Sequence, residues 1–137
     1  MPIVEWNKKY SIGLDQVDNH HQHLFFLLNK FYDIFIIDAK FNDLNDLFDE
    51  LIDYATYHFA YEERLMKESM FTSIEKHENE HRMFSKRIVE LEGFAKYDAK
   101  HILIDAVVFM NEWLQAHILK SDAEFGRFIA LNNIKIS

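Results

Sequence analysis

The sequence predicts an all-α protein, an up-down-up-down antiparallel four-helix bundle with an irregular N-terminal arm and a short C-terminal helix. Three observations predict this class. Four long segments repeat apolar residues at the spacing of an amphipathic helix. The 137 residues include only three Gly and one Pro, too few for an all-β fold with turns about every 8–12 residues. The connections between the long segments are short, so neighbouring helices must run antiparallel.

The four helices are placed by their apolar periodicity. In the first, Leu24, Leu28 and Phe31 recur on one face. A short terminal helix that includes Phe125 follows the fourth. The expected spans of the four long helices are about 17–38, 44–68, 74–91 and 99–118.

Residues near the helix ends predict the boundaries. Asp98 is expected to cap the fourth helix, and Asn42 with Asp43 to cap the second. The segment Thr72-Ser73-Ile74-Glu75 matches a reciprocal capping box that would open the third helix. Gly93 fits the C-terminal stop of that helix.

We expect one domain over residues 1–137. Its parts would be an arm over 1–16, the bundle over about 17–120, and the C-terminal helix and tail over about 121–137. Trp6 and Tyr10 on the arm are expected to pack across the bundle. A chain of this length buries enough surface to form a core without disulfides or other staples.

Composition excludes several classes of protein. Fifteen basic and 23 acidic side chains give a formal net charge of −8, and no basic patch is visible, so a nucleic-acid partner is not expected. Hydrophobic residues make up 49 % of the chain, which excludes disorder. The absence of Cys excludes disulfides, thiolate catalysis, iron–sulfur clusters and cysteine zinc sites, whereas eight His are present.

The chain is expected to be soluble and cytoplasmic, with no membrane partner. Its first residues lack the basic flank and apolar core of a signal peptide. The apolar stretch from Leu24 to Ile37 is interrupted by polar residues and falls short of the roughly 18 apolar residues that a membrane span needs.

Polar residues interrupt the apolar faces of all four helices. His58 with Glu62, and His77 with His81, are four residues apart and share a helix face. Each pair alone could be an ordinary surface pair, and a lone interior His is usually a hydrogen-bonded core residue. A set of imidazoles and carboxylates from all four helices that faces one core needs a cation, because burying an isolated carboxylate costs several kcal/mol. The candidate metal ligands are His21, His58, Glu62, His77, His81, His117 and Asp122.

The donor set predicts which metal it would bind. Seven donors exceed the roughly four that zinc accepts, and five imidazoles exclude the oxygen cages of calcium and magnesium. Two transition-metal ions that share the carboxylates would use every donor, and imidazole with carboxylate suits iron. A ferritin-type site is disfavoured, because only Glu78-Asn79-Glu80-His81 has the Glu-x-x-His spacing.

The sequence resembles the hemerythrin family, specifically its single-domain bacterial members, over nearly the whole chain. The arm carries Trp6 and Tyr10-Ser11-Ile12-Gly13. The helices carry Val17-Asp18-Asn19-His20-His21-Gln22-His23-Leu24, His58-Phe59-Ala60-Tyr61-Glu62-Glu63, His77-Glu78-Asn79-Glu80-His81-Arg82-Met83-Phe84, and Trp113-Leu114-Gln115-Ala116-His117-Ile118 followed by Asp122.

The resemblance implies a non-haem di-iron centre that binds dioxygen reversibly, in a protein that is not an enzyme. One iron would be held by His77, His81 and His117 and the other by His21 and His58. Glu62 and Asp122 would bridge the irons together with an oxo or hydroxo group. The positions that match the family's oxygen pocket are Leu24, Phe59, Trp113, Leu114 and Ile118, although such residues are also ordinary core residues.

Three roles are open for such a protein: oxygen storage, delivery or sensing. The alternatives are an oxygen or redox signalling module, and iron handling or nitric-oxide detoxification. Sensor members of the family are commonly fused to output domains, for which 137 residues leave no room.

Two local features need a structural answer. His20 and His23 flank His21, and His21 is the expected ligand because it matches the family motif, whereas His20 could lie behind a metal ligand or face solvent. His117 and Asp122 are five residues apart, which leaves their side chains about 140° apart on a regular helix. A π-type irregularity is therefore expected between them. His101 is expected to be exposed, and Glu63 to face solvent beside an inward Glu62.

Overall fold

The computed structural model describes residues 2–37 and 41–135, and these residues form a four-helix bundle. Consecutive long helices pack against one another, and the first also packs against the fourth, which closes the bundle. The predicted fold class is confirmed. The elements are α1 (Asp15–Ile37), α2 (Phe41–Glu68), α3 (Ile74–Ala95), α4 (Ala99–Ala116), a six-residue π-helix (His117–Asp122) and α5 (Ala123–Leu131).

Three predicted boundary signals are wrong. α3 runs through Gly93 to Ala95, because a glycine inside a helix lowers its stability without ending it. The capping box does not form: Ser73 is the N-cap and makes no side-chain cap bond, and its hydroxyl donates to Glu124. α2 already includes Asn42 and Asp43, so the helix does not begin after them.

The remaining boundaries lie close to the predictions. α1 begins at Asp15, two residues before the predicted start, and its predicted end at Asp38 lies outside the described residues. The cap at Asp98 is confirmed, because its carboxylate accepts a hydrogen bond from the backbone N–H of His101.

The N-terminal arm packs across the bundle, as expected. The ring of Tyr10 lies edge-on to Phe25 at a centroid distance of 4.9 Å, and Trp6 contacts both rings. The Tyr10 hydroxyl also donates to the amide oxygen of Gln115 on α4, at 3.2 Å. These contacts tie the arm to α1 and α4.

The core consists of two apolar clusters at different levels of the bundle. The larger contains Leu28, Phe48 and Met110, and the smaller contains Leu65 and Phe125. The polar residues of interest lie in sequence where one cluster gives way to the other; Asp122, for example, follows Ile118 of the larger cluster and precedes Phe125 of the smaller. The bundle therefore holds a polar layer with an apolar cluster on each side.

The helical stretch Ala99–Leu131 is, by length and composition alone, long and apolar enough to cross a membrane. The core helix of a soluble bundle has the same properties. Here Leu103, Ala106 and Leu114 of this stretch are buried in the core.

Candidate metal centre

The seven predicted ligand residues come together in the polar layer, and all of them are buried. They form two overlapping groups, in each of which one donor atom per residue lies within 4.8 Å of the others. Both groups contain Glu62 and Asp122. The first adds His77, His81 and His117, and the second adds His21 and His58.

The two carboxylates lie between the groups and present one oxygen to each. Glu62 Oε1 is 2.6 Å from Nε2 of His77, and its Oε2 is 3.5 Å from Nε2 of His58. Asp122 Oδ1 is 2.7 Å from Nε2 of His77, and its Oδ2 is 2.9 Å from Nε2 of His21. This arrangement suits carboxylates that bridge two cations.

Local helix geometry brings these side chains inward. His58 with Glu62 on α2, and His77 with His81 on α3, use the four-residue spacing of a regular helix. The predicted irregularity after His117 is confirmed, since residues His117–Asp122 form a π-helix. Its wider turn directs Asp122 to the side of the helix that carries His117.

Several buried polar atoms of the layer have no hydrogen-bond partner among the described residues. They are both ring nitrogens of His21, Oε2 of Glu62 and both carboxylate oxygens of Asp122. His21 Nε2 lies close to Asp122 Oδ2, but this contact lacks hydrogen-bond geometry. Unpaired buried groups of this kind are costly, and cations at the centre of the layer would satisfy them. The residues therefore fit a metal centre.

The imidazoles of the two groups differ in their affinity for protons. Burial lowers the pKa of His58 to about 3. Burial also disfavours the charged form of His77, but the hydrogen bond to Glu62 and the charge of the nearby Asp122 carboxylate outweigh it and raise the pKa of His77 to about 9. Burial alone would raise the pKa values of the Glu62 and Asp122 carboxyls, but the neighbouring imidazoles hold both below their ordinary range. The metal-free centre thus carries protons that a cation would replace.

Three groups lie behind the predicted ligands: the carboxylates of Glu63 and Glu80, which the sequence analysis missed, and His20, whose place it left open. Nδ1 of His81 is 2.8 Å from Oε2 of Glu63, and Nδ1 of His117 is 2.8 Å from Oε1 of Glu80. Nδ1 of His58 is 2.9 Å from Nδ1 of His20. These contacts leave Nε2 of each of the three imidazoles free to face the centre.

The expectation that Glu63 faces solvent is incomplete, because its side chain is 23 % exposed but one of its oxygens also contacts His81. His20 is buried behind His58, and His23 lies against the ring of Tyr54. His101 is exposed, as expected. In sequence, Glu63 and His20 are marked only by standing next to the predicted ligands Glu62 and His21. That position alone does not show whether their side chains turn toward the core.

Apolar and aromatic residues close the layer on the side of the larger cluster. The ring of Phe59 stacks on His81 at 3.9 Å, and the ring of Trp113 stacks on His117 at 4.4 Å. Leu24, Leu114 and Ile118 are buried in the same cluster. These are the five residues that matched the oxygen pocket in sequence.

Comparisons with known proteins agree with this geometry. Residues 12–129 match the model of the hemerythrin HHE cation-binding domain. The bacteriohemerythrin of Clostridium acetobutylicum is 30 % identical over 128 residues, which cover 88 % of this chain and 96 % of the relative. That of Aquifex aeolicus is 29 % identical over 125 residues, with 88 % and 93 % covered.

Solved structures show the same fold. Two crystal structures of hemerythrin mutants superpose with a TM-score of 0.83 at 22 % identity. They cover 94 % and 93 % of this chain, and 98 % of each of those chains. Because the family model covers most of the sequence, the chain belongs to the hemerythrin HHE cation-binding domain family.

Proposed function

We propose that the polar layer holds two iron ions and that the protein binds dioxygen reversibly for storage, delivery or sensing. The observation that carries this proposal is the position of Glu62 and Asp122, each of which presents one oxygen to each group of imidazoles. Oxygen binding, rather than catalysis, agrees with membership of the hemerythrin family.

The two groups define two metal positions. His77, His81 and His117 would form the three-histidine position, and His21 with His58 the two-histidine position. Glu62 and Asp122 would bridge them, along with an oxo or hydroxo group. When bound, the iron pair supplies the electrons for dioxygen binding, and the two-histidine position has fewer protein ligands and hence room for the gas.

The residues around the centre would protect it from water. Leu24, Leu114 and Ile118 are buried beside it and offer no hydrogen-bonding side chain. The stacked rings of Phe59 and Trp113 cover two of the imidazoles. A dry lining of this kind restricts the protons that would turn reversible binding into oxidation of the metal. We further propose that the protein is soluble and cytoplasmic.

Anaerobic reconstitution with ferrous iron, followed by exposure to oxygen, tests this function. We expect two irons per chain and a visible absorption band that appears with oxygen and fades on deoxygenation. His58→Ala should lose the reversible band, whereas His101→Ala should keep it, because His101 is exposed and remote from the layer. One tightly bound zinc, or a band that decays irreversibly, would contradict the proposal.

A further inference from the structure

The hydrogen bonds behind the imidazoles differ in charge between the two metal positions. In the three-histidine position, His81 and His117 each contact a carboxylate through Nδ1, at 2.8 Å in both cases. In the two-histidine position, Nδ1 of His58 contacts another imidazole, that of His20, at 2.9 Å. Nδ1 of His21 is buried without a partner among the described residues.

The two carboxylates behind the three-histidine position are well placed to remain charged. The side chains of Glu63 and Glu80 are 23 % and 26 % exposed, so each keeps contact with solvent. The hydroxyl of Ser121 also donates to Glu80, at 2.7 and 2.9 Å from its two oxygens. Both carboxylates therefore add negative charge next to their imidazoles without a large desolvation cost.

The group behind His58 contributes no such charge. If Nε2 of His58 faces a metal, its Nδ1 carries the proton and donates it, so His20 must accept through an unprotonated Nδ1 and be neutral. His20 is buried, with the rings of Tyr57 and Tyr61 at about 5 Å from its own. This contact can fix the orientation of His58 but adds no negative charge.

A carboxylate that accepts the far N–H of a metal-ligating imidazole fixes its tautomer and raises its basicity. Glu62 and Asp122 face both positions and so do not favour one over the other. We propose that Glu63 and Glu80 are positioning residues that cause the two metal positions to fill in a fixed order; this inference rests on the proposed function. The three-histidine position fills first and retains its metal, and the two-histidine position fills second and exchanges its metal.

Titration of the metal-free protein with Co²⁺ under anaerobic conditions tests this order, since it needs neither iron nor oxygen. Calorimetry should resolve two binding steps. Proton NMR at one equivalent of Co²⁺ should show three shifted, solvent-exchangeable imidazole N–H signals, from His77, His81 and His117. Two such signals would mean that the two-histidine position fills first, which would overturn the proposal.

Neutral isosteres separate the effect of charge from that of hydrogen bonding. In Glu63→Gln and Glu80→Gln, the amide oxygen can still accept from the imidazole, but the charge is lost. Each variant should weaken the first binding step by about 10- to 100-fold and leave the second nearly unchanged. Glu75→Gln removes the same charge from an exposed site on α3 and should change neither step.

The outcomes distinguish this inference from the proposed function. If Co²⁺ does not reach two ions per chain, the paired centre itself is wrong. If two ions bind with equal affinity, the order of loading is wrong. If Glu63→Gln and Glu80→Gln bind like the native chain, the role of Glu63 and Glu80 is wrong. Neither outcome contradicts the paired centre. Circular dichroism of each variant checks that the bundle is intact.

Discussion

His117 Nε2 lies 3.2 Å from Oδ1 of Asp122, although five residues separate the two side chains along one helical segment. On a regular α-helix they would point in directions about 140° apart. The π-helix between them removes this offset. The backbone irregularity is therefore what places the second shared carboxylate inside the bundle.

The sharing of Asp122 predicts different metal contents for different variants. Asp122→Ala should weaken both metal positions, because its two oxygens face both groups. His21→Ala should leave about one metal per chain, because it serves only one position. Elemental analysis after reconstitution measures these contents.

His20→Gln is the matched control for His21→Ala. A glutamine can still accept from Nδ1 of His58, so this variant should retain both metals. Loss of a metal in His20→Gln together with full occupancy in His21→Ala would mean that His20, and not His21, is the ligand.

Metal removal should destabilise the protein. The unpaired atoms of His21, Glu62 and Asp122 are buried, and a bound cation would satisfy them. A ligand at 100 times its Kd stabilises the folded state by about 2.7 kcal/mol. Thermal melts with and without Fe²⁺ or Zn²⁺, and with Mg²⁺ as a control cation, measure the effect. Equal melting temperatures for all samples would contradict the metal centre.

Replacing two different glycines with alanine should change the free energy of unfolding in opposite directions. A Cβ at Gly126 on α5 would overlap the carbonyl oxygen of Ile12, where the arm crosses the helix. Gly126→Ala should therefore cost about 1–3 kcal/mol in free energy of unfolding. Gly93→Ala is the control: its Cβ meets nothing within 4 Å, and it should stabilise α3 by about 0.5–1 kcal/mol. Urea denaturation compares them, and equal effects would refute the close approach of the arm.

Glu92 predicts a pH dependence that is separate from the metal centre. Burial and the neighbouring Asp49 carboxyl raise the pKa of Glu92 from 4.5 to about 7. The folded state thus holds a proton that the unfolded state releases, so this contribution to stability is present below about pH 4.5 and is lost as the pH rises through 7.

Glu92→Gln, which stays neutral, should therefore gain stability relative to the native chain as the pH rises from 5 to 8. Melts of both metal-free proteins measure the difference. Glu75→Gln serves as the exposed control and should show no such gain. A difference between Glu92→Gln and the native chain that does not change with pH would contradict the raised pKa.

The sequence predicted the bundle and the meeting of six of the seven residues because both depend on periodicity, whereas Asp122 reaches the layer only through the π-helix. Inward residues such as His58 and Glu62 recur at the same spacing as the core leucines around them. Periodicity does not identify residues at the edge of a helix interface that contact a ligand on a neighbouring helix. Glu63 and Glu80 contact imidazoles on neighbouring helices, and helix rotation of a few tens of degrees decides whether such a side chain reaches its partner or solvent.

Helix ends were harder to predict than helix faces. Gly93 and the segment Thr72-Ser73-Ile74-Glu75 carry ordinary local signals for a stop and a cap. Tertiary packing overrides both, since Leu91 and Ala95 on either side of Gly93 are buried in the core and Ser73 bonds to Glu124 instead. The π-helix was predictable because the spacing from His117 to Asp122 fits no regular helix.

The most direct test of the paired centre is a crystal structure of the iron-reconstituted protein with anomalous data at the iron edge. We expect two anomalous peaks within the polar layer, each within ligand distance of Glu62 and Asp122. One peak should also contact His77, His81 and His117, and the other His21 and His58. A single peak, or two peaks that do not share the carboxylates, would contradict the account.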